Sequence, residues 1–191
     1  LGASGFRLDV ADELPDDFIE KIRTAVKSHG DDKLLLGEVW EDATNKVSYG
    51  SYRTYLLGRG LDTVMNYPLR EAILGFVRGG DSAQLARTVL DLAENYPPPA
   101  LHVAMNLLST HDTARTLWLL GDRGDDAARS AEAKRRYRLA LFMQMTWPGA
   151  PTIFYGDEVG LTGGEDPDNR RTYPWADRGG HPDETMLAEV R

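Results

Sequence analysis

Three carboxylates stand where apolar runs stop. Asp9 follows Phe6-Arg7-Leu8, Glu38 follows Leu34-Leu35-Leu36-Gly37, and Asp112 lies just past a run that ends at Leu108. A carboxylate at the end of an apolar strand loses hydration and needs a partner. Arg7, two residues before Asp9, falls on the same strand face, and Arg115, three residues after Asp112, is its cation close in sequence. A single such carboxylate is explained as well by a structural ion pair as by chemistry; three together point to chemistry. In parallel α/β folds the functional groups gather at the C-terminal strand ends. Carboxylates gathered there suit glycoside hydrolysis, in which one donates a proton to the leaving oxygen and another acts as nucleophile or base.

Aromatic residues accompany them. Trp40, Tyr67 and Tyr155 fall at strand ends and Tyr173 and Trp175 in a long loop. Sugar rings rest their C–H faces on such side chains, although a Tyr or Trp with one wet end also serves as ordinary packing. With Cys 0, thiol nucleophiles, disulfides and Cys-based zinc sites are excluded. No Gly-rich phosphate loop of the G-x-G-x-x-G or Walker type appears. The charge, 22 Lys+Arg against 30 Asp+Glu for a net −8, opposes nucleic acid and anionic membranes as partners, and the only dense basic stretch is Lys134-Arg135-Arg136. No run approaches the roughly 20 apolar residues that cross a bilayer. The visible chemistry requires no cofactor, and no residue is assigned as a metal ligand.

Groups of this kind need a scaffold of repeated βα units, and the 191 residues, 41% hydrophobic, suffice for a buried core. Five apolar runs read as strands: Phe6 to Val10, Leu34 to Trp40, Leu61 to Tyr67, Leu101 to Leu108 and Pro151 to Tyr155. The second is continuous enough to be buried on both faces. Between the runs, Phe18, Ile19, Ile22, Ala25 and Val26 share a helical stripe. A helix from Leu69 stops at Gly79-Gly80, and one from Ser82 closes at Pro97-Pro98-Pro99. Ala127 to Trp147 gives the longest helical pattern. The stretch from Thr162 to Pro182 exceeds the usual 2–6 residues of a βα connection and is a candidate binding loop. No composition shift marks a second domain in 1–191.

Gly5-Phe-Arg-Leu-Asp-Val-Ala-Asp-Glu13, Gly37-Glu-Val-Trp40, Ser109-Thr-His-Asp-Thr113 and Gly149-Ala-Pro-Thr-Ile-Phe-Tyr-Gly-Asp-Glu158 resemble, in order and spacing, the strand-four, -five, -seven and -eight signatures of the alpha-amylase family of retaining glycoside hydrolases. Within it, Met65-Asn66-Tyr67-Pro68 and Thr162 to Arg171 are similar to the neopullulanase, cyclomaltodextrinase and maltogenic amylase branch. The resemblance implies an α/β fold, a partial TIM (β/α)8 barrel comprising strands four to eight. It implies Asp9 as nucleophile, kept ionised by Arg7. Glu38 becomes the general acid and base, and Asp112 the third carboxylate, holding sugar hydroxyls at the transition state. Substrate-binding roles fall on Arg7, His111, Trp40, Tyr67, Asp166 and Arg170. Asp12 stands where that branch often has Asn, which bears on leaving-side specificity.

The implied substrate is an α-glucan with α-1,4 linkages, α-1,6 linkages being left open. Calcium is a feature of many complete members. Transglycosylases and isomerases of the family share the same carboxylates, and its non-catalytic scaffold relatives lack them. A complete barrel has about 250 residues. The start at Leu1, without an initiator Met, a basic region or an apolar region, therefore reads as the interior of a longer sequence. The expectation is that the open strand edges are covered by a missing barrel half or another chain, and that these residues alone are inactive. Cytoplasmic and secreted locations are equally open.

Overall fold

Short strands alternate with helices along the chain in a computed structural model that describes residues 2–191; Leu1 lies outside the described residues. The strands are β1 Gly5–Leu8, β2 Leu34–Gly37, β3 Val47–Ser48, β4 Ser51–Tyr52, β5 Thr63–Val64, β6 Met105–Leu107 and β7 Ala150–Thr152. The helices are α1 Asp16–Lys27, α2 Tyr67–Val77, α3 Ser82–Asn95, α4 Pro98–Leu101, α5 Thr116–Leu119, α6 Ala127–Thr146 and α7 Glu184–Val190.

β1, β2 and β5 form a parallel sheet in that order, with Arg7 opposite Leu36 and Leu36 opposite Thr63. A parallel bridge from Met65 to Met105 carries the pairing on to β6, which pairs with β7. β3 and β4 form a separate antiparallel hairpin. The expected βα rhythm is therefore present, with all five apolar runs contributing a strand.

The contacts divide the chain into two compact units. The first comprises Leu1–Ala72, Ser82–Asn106 and Pro148–Ala150, the second Ile73–Asp81, Leu107–Trp147 and Pro151–Arg191. In the first, Leu35, Val39, Ile19, Val26, Val64 and Met65 are buried, and α1 packs on β2. Asp62 latches the sheet to α1. Its carboxylate meets Arg23 at 2.7 Å and Lys27 at 2.9 Å and accepts from the Leu35 amide at 2.8 Å. Burial alone would raise its pKa, yet the Lys27 and Arg23 contacts hold it below the usual carboxylate value. Gly149 has φ of 132°, and a side chain there would meet the Ala104 carbonyl and Asn106, so the tight approach of the chain into β7 requires glycine.

In the second unit α6 is capped by Asp126, whose carboxylate accepts from the Ala128 and Arg129 amides, and it buries Ala133, Tyr137, Ala140, Leu141 and Gln144. Gln144 donates to the Thr152 carbonyl at 2.7 Å, which fixes β7 against this helix.

Two sequence expectations are corrected here. β2 is not buried on both faces: Leu35 and Gly37 are buried, whereas Leu34 is exposed and Leu36 only partly covered, so the strand alternates. Pro97-Pro98-Pro99 closes α3 and also opens α4, because the first helical turn needs no amide donor from proline, and Leu101 consequently ends a helix instead of starting a strand.

Candidate active site

The first unit brings five of the expected site residues together. Asp9 and Glu38 immediately follow β1 and β2, which are paired in register, so the two carboxylates occupy adjacent strand ends. The Arg7 guanidinium lies between them: Nη1 is 2.6 Å from Asp9 Oδ1 and Nη2 is 3.0 Å from Glu38 Oε2. Its Nε reaches Met65 Sδ at 3.2 Å, which aims the fork. The environments of the two acids differ sharply, the Asp9 side chain being 69% exposed and that of Glu38 3%.

Both Glu38 oxygens are held. Oε2 accepts from the Val10 amide at 2.9 Å and Oε1 from Trp40 Nε1 at 3.2 Å. The flanking backbone is locked as well, with the Glu38 amide on the Leu8 carbonyl at 2.9 Å and the Ala11 amide on the Glu38 carbonyl at 3.0 Å. Trp40 stacks on Tyr67, with ring centroids 4.1 Å apart and planes 9° apart. Tyr67, expected as a sugar-binding residue at the end of a strand, opens α2 and is 1% exposed, so its ring backs Trp40, which remains half-exposed. Asn66, part of the Met65-Asn66-Tyr67-Pro68 motif but given no role there, caps α2 through Oδ1 to the Leu69 amide and donates to Asn106 Oδ1 at 3.0 Å; Asn106 in turn donates to the Pro148 carbonyl at 3.0 Å. These buried amides tie together the segments that leave β5, enter β7 and form β6.

The second unit holds the remaining expected residues in a cluster of their own. His111 Nε2 lies 3.0 Å from Asp112 Oδ2, and Arg170 Nη2 lies 3.3 Å from Asp112 Oδ1 and 3.1 Å from Asp166 Oδ2. The turn carrying Asp112 is closed by its own hydroxyls: Thr110 Oγ1 accepts from the Asp112 amide, and Thr113 Oγ1 from the Thr110 amide, both at 3.1 Å.

Arg115 is not the cation of Asp112. Residues three apart face each other on a helix, but Arg115 is extended at φ −64° and ψ 147° before α5, which sends it elsewhere. It is fully buried, 3.0 Å from Asp157 Oδ1, and donates to the carbonyls of Asn169 at 2.8 Å and Tyr155 at 2.7 Å. The Phe154 and Tyr155 rings cover it. Burial pushes the Asp157 carboxyl up to about 6, even though Ser109 and Arg115 pull the other way.

Asn169 completes the arrangement by donating to the His111 carbonyl at 2.8 Å and the Thr113 carbonyl at 2.9 Å. The long loop is thereby fastened to the Asp112 turn, and Arg170, the next residue, reaches Asp112. Asp157 and Asn169 both lie inside the motifs that carry the sequence resemblance, Gly149 to Glu158 and Thr162 to Arg171, but neither was given a role of its own, because their partners are distant in sequence.

Among the described residues no group of three or more His, Cys, Asp or Glu side chains is arranged to hold a metal ion. No described helix is long and apolar enough to cross a membrane.

Comparison with known proteins places this geometry in context. The chain is 37% identical over 192 residues to an amylopullulanase of Thermoanaerobacter thermohydrosulfuricus, covering 92% of this chain and 12% of that protein. It is 38% identical over 183 residues to neopullulanase 2 of Thermoactinomyces vulgaris, covering 93% of this chain and 27% of that protein. Among solved structures, cyclic alpha-maltosyl-(1→6)-maltose hydrolase from Arthrobacter globiformis superposes with a TM-score of 0.82 at 32% identity, over 99% of this chain and 39% of that one. The chain thus spans only a minor part of the length of these relatives, and its fold is an α/β portion of a TIM barrel. Since the alpha amylase catalytic-domain family matches residues 2–186, nearly the whole chain, these strand-end acids belong to a member of the alpha-amylase family.

Proposed function

We propose that the protein is a retaining glycosidase cleaving α-1,4-glucosidic bonds, with α-1,6 cleavage left open, in maltooligosaccharides, cyclodextrins, pullulan or starch. The observation that carries this reading is the single Arg7 guanidinium held between Asp9 and Glu38 on adjacent strand ends. Two carboxylates on one fork suit the short separation of retaining enzymes, about 5 Å, better than the wider gap that an inverting enzyme leaves for water. The names of the relatives, amylopullulanase and neopullulanase among them, support the substrate class.

In this reading Glu38 gives its proton to the glycosidic oxygen while an Asp9 oxygen attacks the anomeric carbon. The C–O bond to the leaving group breaks as the glycosyl-enzyme ester forms. Water then attacks the same carbon, Glu38 takes its proton, and the ester opens to free Asp9. The Val10 amide and the Trp40 indole hold the two Glu38 oxygens in place between the two steps. Asp112 and His111 are read as partners of sugar hydroxyls on the strength of the sequence resemblance, and Asp166 and Arg170 likewise. We assign the five principal strands to positions four to eight of the barrel on the order of the same motifs.

Product analysis on cyclodextrin, pullulan and starch with the full protein tests the proposal. Asp9→Asn and Glu38→Gln should each lower kcat by at least on the order of a thousandfold. Wild-type rates in either variant would overturn the assignment of the two acids.

A further inference from the structure

The β3–β4 hairpin, beyond the carboxylate pair in the first unit, is closed by Tyr49-Gly50, with Ser48 opposite Ser51 and Val47 opposite Tyr52. Both turn residues are left-handed, Tyr49 at φ 52° and Gly50 at φ 74°. Tight hairpins of this kind favour Asn, Asp or Gly at the first position, because a bulky side chain is strained there. The ring so placed is 77% exposed, the highest value for a large hydrophobic or aromatic side chain among the described residues. It does not hang free, since the Tyr49 hydroxyl donates to the Glu13 carboxylate. The side chain is thus fixed by the turn at one end and by Glu13 at the other, while its faces stay open to solvent.

The hairpin itself does not depend on this contact. Arg53, buried, donates to the Asp12 and Leu14 carbonyls and meets Asp16 Oδ1 at 2.8 Å. Ser48 Oγ donates to the Asp12 carbonyl at 3.0 Å, and Lys46 lies 3.2 Å from the Asp12 carboxylate. Beside the ring is a cleft of about 530 Å³, lined by Glu13, Pro15, Asp17, Ser48, Tyr49 and Ser51 among others. That volume is within the range of small-ligand sites, roughly 300–1,000 Å³.

We infer that this cleft is a second carbohydrate-binding site, with Tyr49 as the stacking platform for a pyranose ring of an α-glucan chain. An open aromatic face flanked by carboxylates and hydroxyls fits a neutral polyhydroxylated ligand; Glu13, Asp16 and Asp17 repel an anion, and the nearby cation Arg53 is already engaged. Because the ring is held before a ligand arrives, little ordering is lost on binding. Ser48 and Arg53 bind the hairpin to the Asp12 and Leu14 carbonyls of the segment that leaves Asp9, so a glucan long enough to span from Tyr49 to the acid pair gains from both, whereas a short one does not. The inference rests on the α-glucan reading for the identity of the ligand.

Affinity electrophoresis of the full protein in gels containing soluble starch, together with kinetics on maltotriose and maltoheptaose, tests it. Tyr49→Ala and Tyr49→Gly should lose the starch-dependent retardation and raise KM for maltoheptaose on the order of five- to tenfold, leaving maltotriose unchanged. Tyr49→Phe, which keeps the ring but drops the tether to Glu13, should fall between these and the wild type. Tyr49→Gly also separates binding from folding: glycine suits the left-handed turn, so its melting temperature should equal or exceed that of the wild type. Unchanged retardation and kinetics in Tyr49→Ala overturn the second site while leaving the glycosidase reading intact. Retardation that depends on Tyr49 in a protein without hydrolytic activity supports the site and overturns that reading instead. Absence of retardation in the wild type overturns the site.

Discussion

Val10, between the candidate nucleophile and the loop that follows it, has φ 38° and ψ 56°, a conformation costly for a β-branched residue. The kink turns its amide onto Glu38 Oε2 at 2.9 Å, so the strain is coupled to the position of the acid. Its side chain is half-exposed and contributes little. Val10→Gly keeps the amide and removes the φ penalty, so the unfolding free energy should rise by about 1 kcal/mol with kcat retained, as measured by urea unfolding and initial rates. Asp157 is strained in a different way. Its folded pKa, about 6, lies above the unfolded value near 3.8, so its contribution to stability is fully present below about pH 4 and is lost as pH rises through 6. Between pH 4 and pH 6, thermal unfolding should show a falling stability component that is absent in Asp157→Asn.

At the scale of elements, the loop from Thr162 onward acts as a fastened arm. Asn169 is its pin, and truncation leaves the His111 and Thr113 carbonyls without their donor. Asn169→Ala should cost about 2 kcal/mol in urea unfolding and raise KM as Arg170 loses its fixed position beside Asp112. Helices α1 and α6 were readable from periodicity because each buries a stripe of its own residues. The limits of the strands were less legible. β5 is only Thr63–Val64 and β7 only Ala150–Thr152, since strand length follows from the pairing of neighbours, which apolar content does not encode. The short helix Pro98–Leu101 was missed for a related reason: proline reads as a stop in composition, yet it starts a helix where the first turn needs no donor.

For the whole molecule, the exposed edge is the main consequence. β1 pairs only with β2 among the described residues, and Phe6 is 58% exposed beside that edge. Unpaired, apolar strand edges recruit further strands. Residues 1–191 expressed alone should therefore associate, and light scattering should detect species larger than the 21.2 kDa monomer; a monodisperse, active monomer would refute this. The order of the motifs, the acids at strand ends and the βα rhythm were determined by the sequence by itself, because side-chain spacing fixes which residues share a face of their own element. Only the tertiary structure decided the partners. Arg115 meets Asp157, 42 residues away, and Arg170 meets Asp112, 58 residues away. Tyr67 backs Trp40, and one guanidinium joins Asp9 to Glu38. Such pairings depend on strand register and on how loops return, which no local spacing specifies.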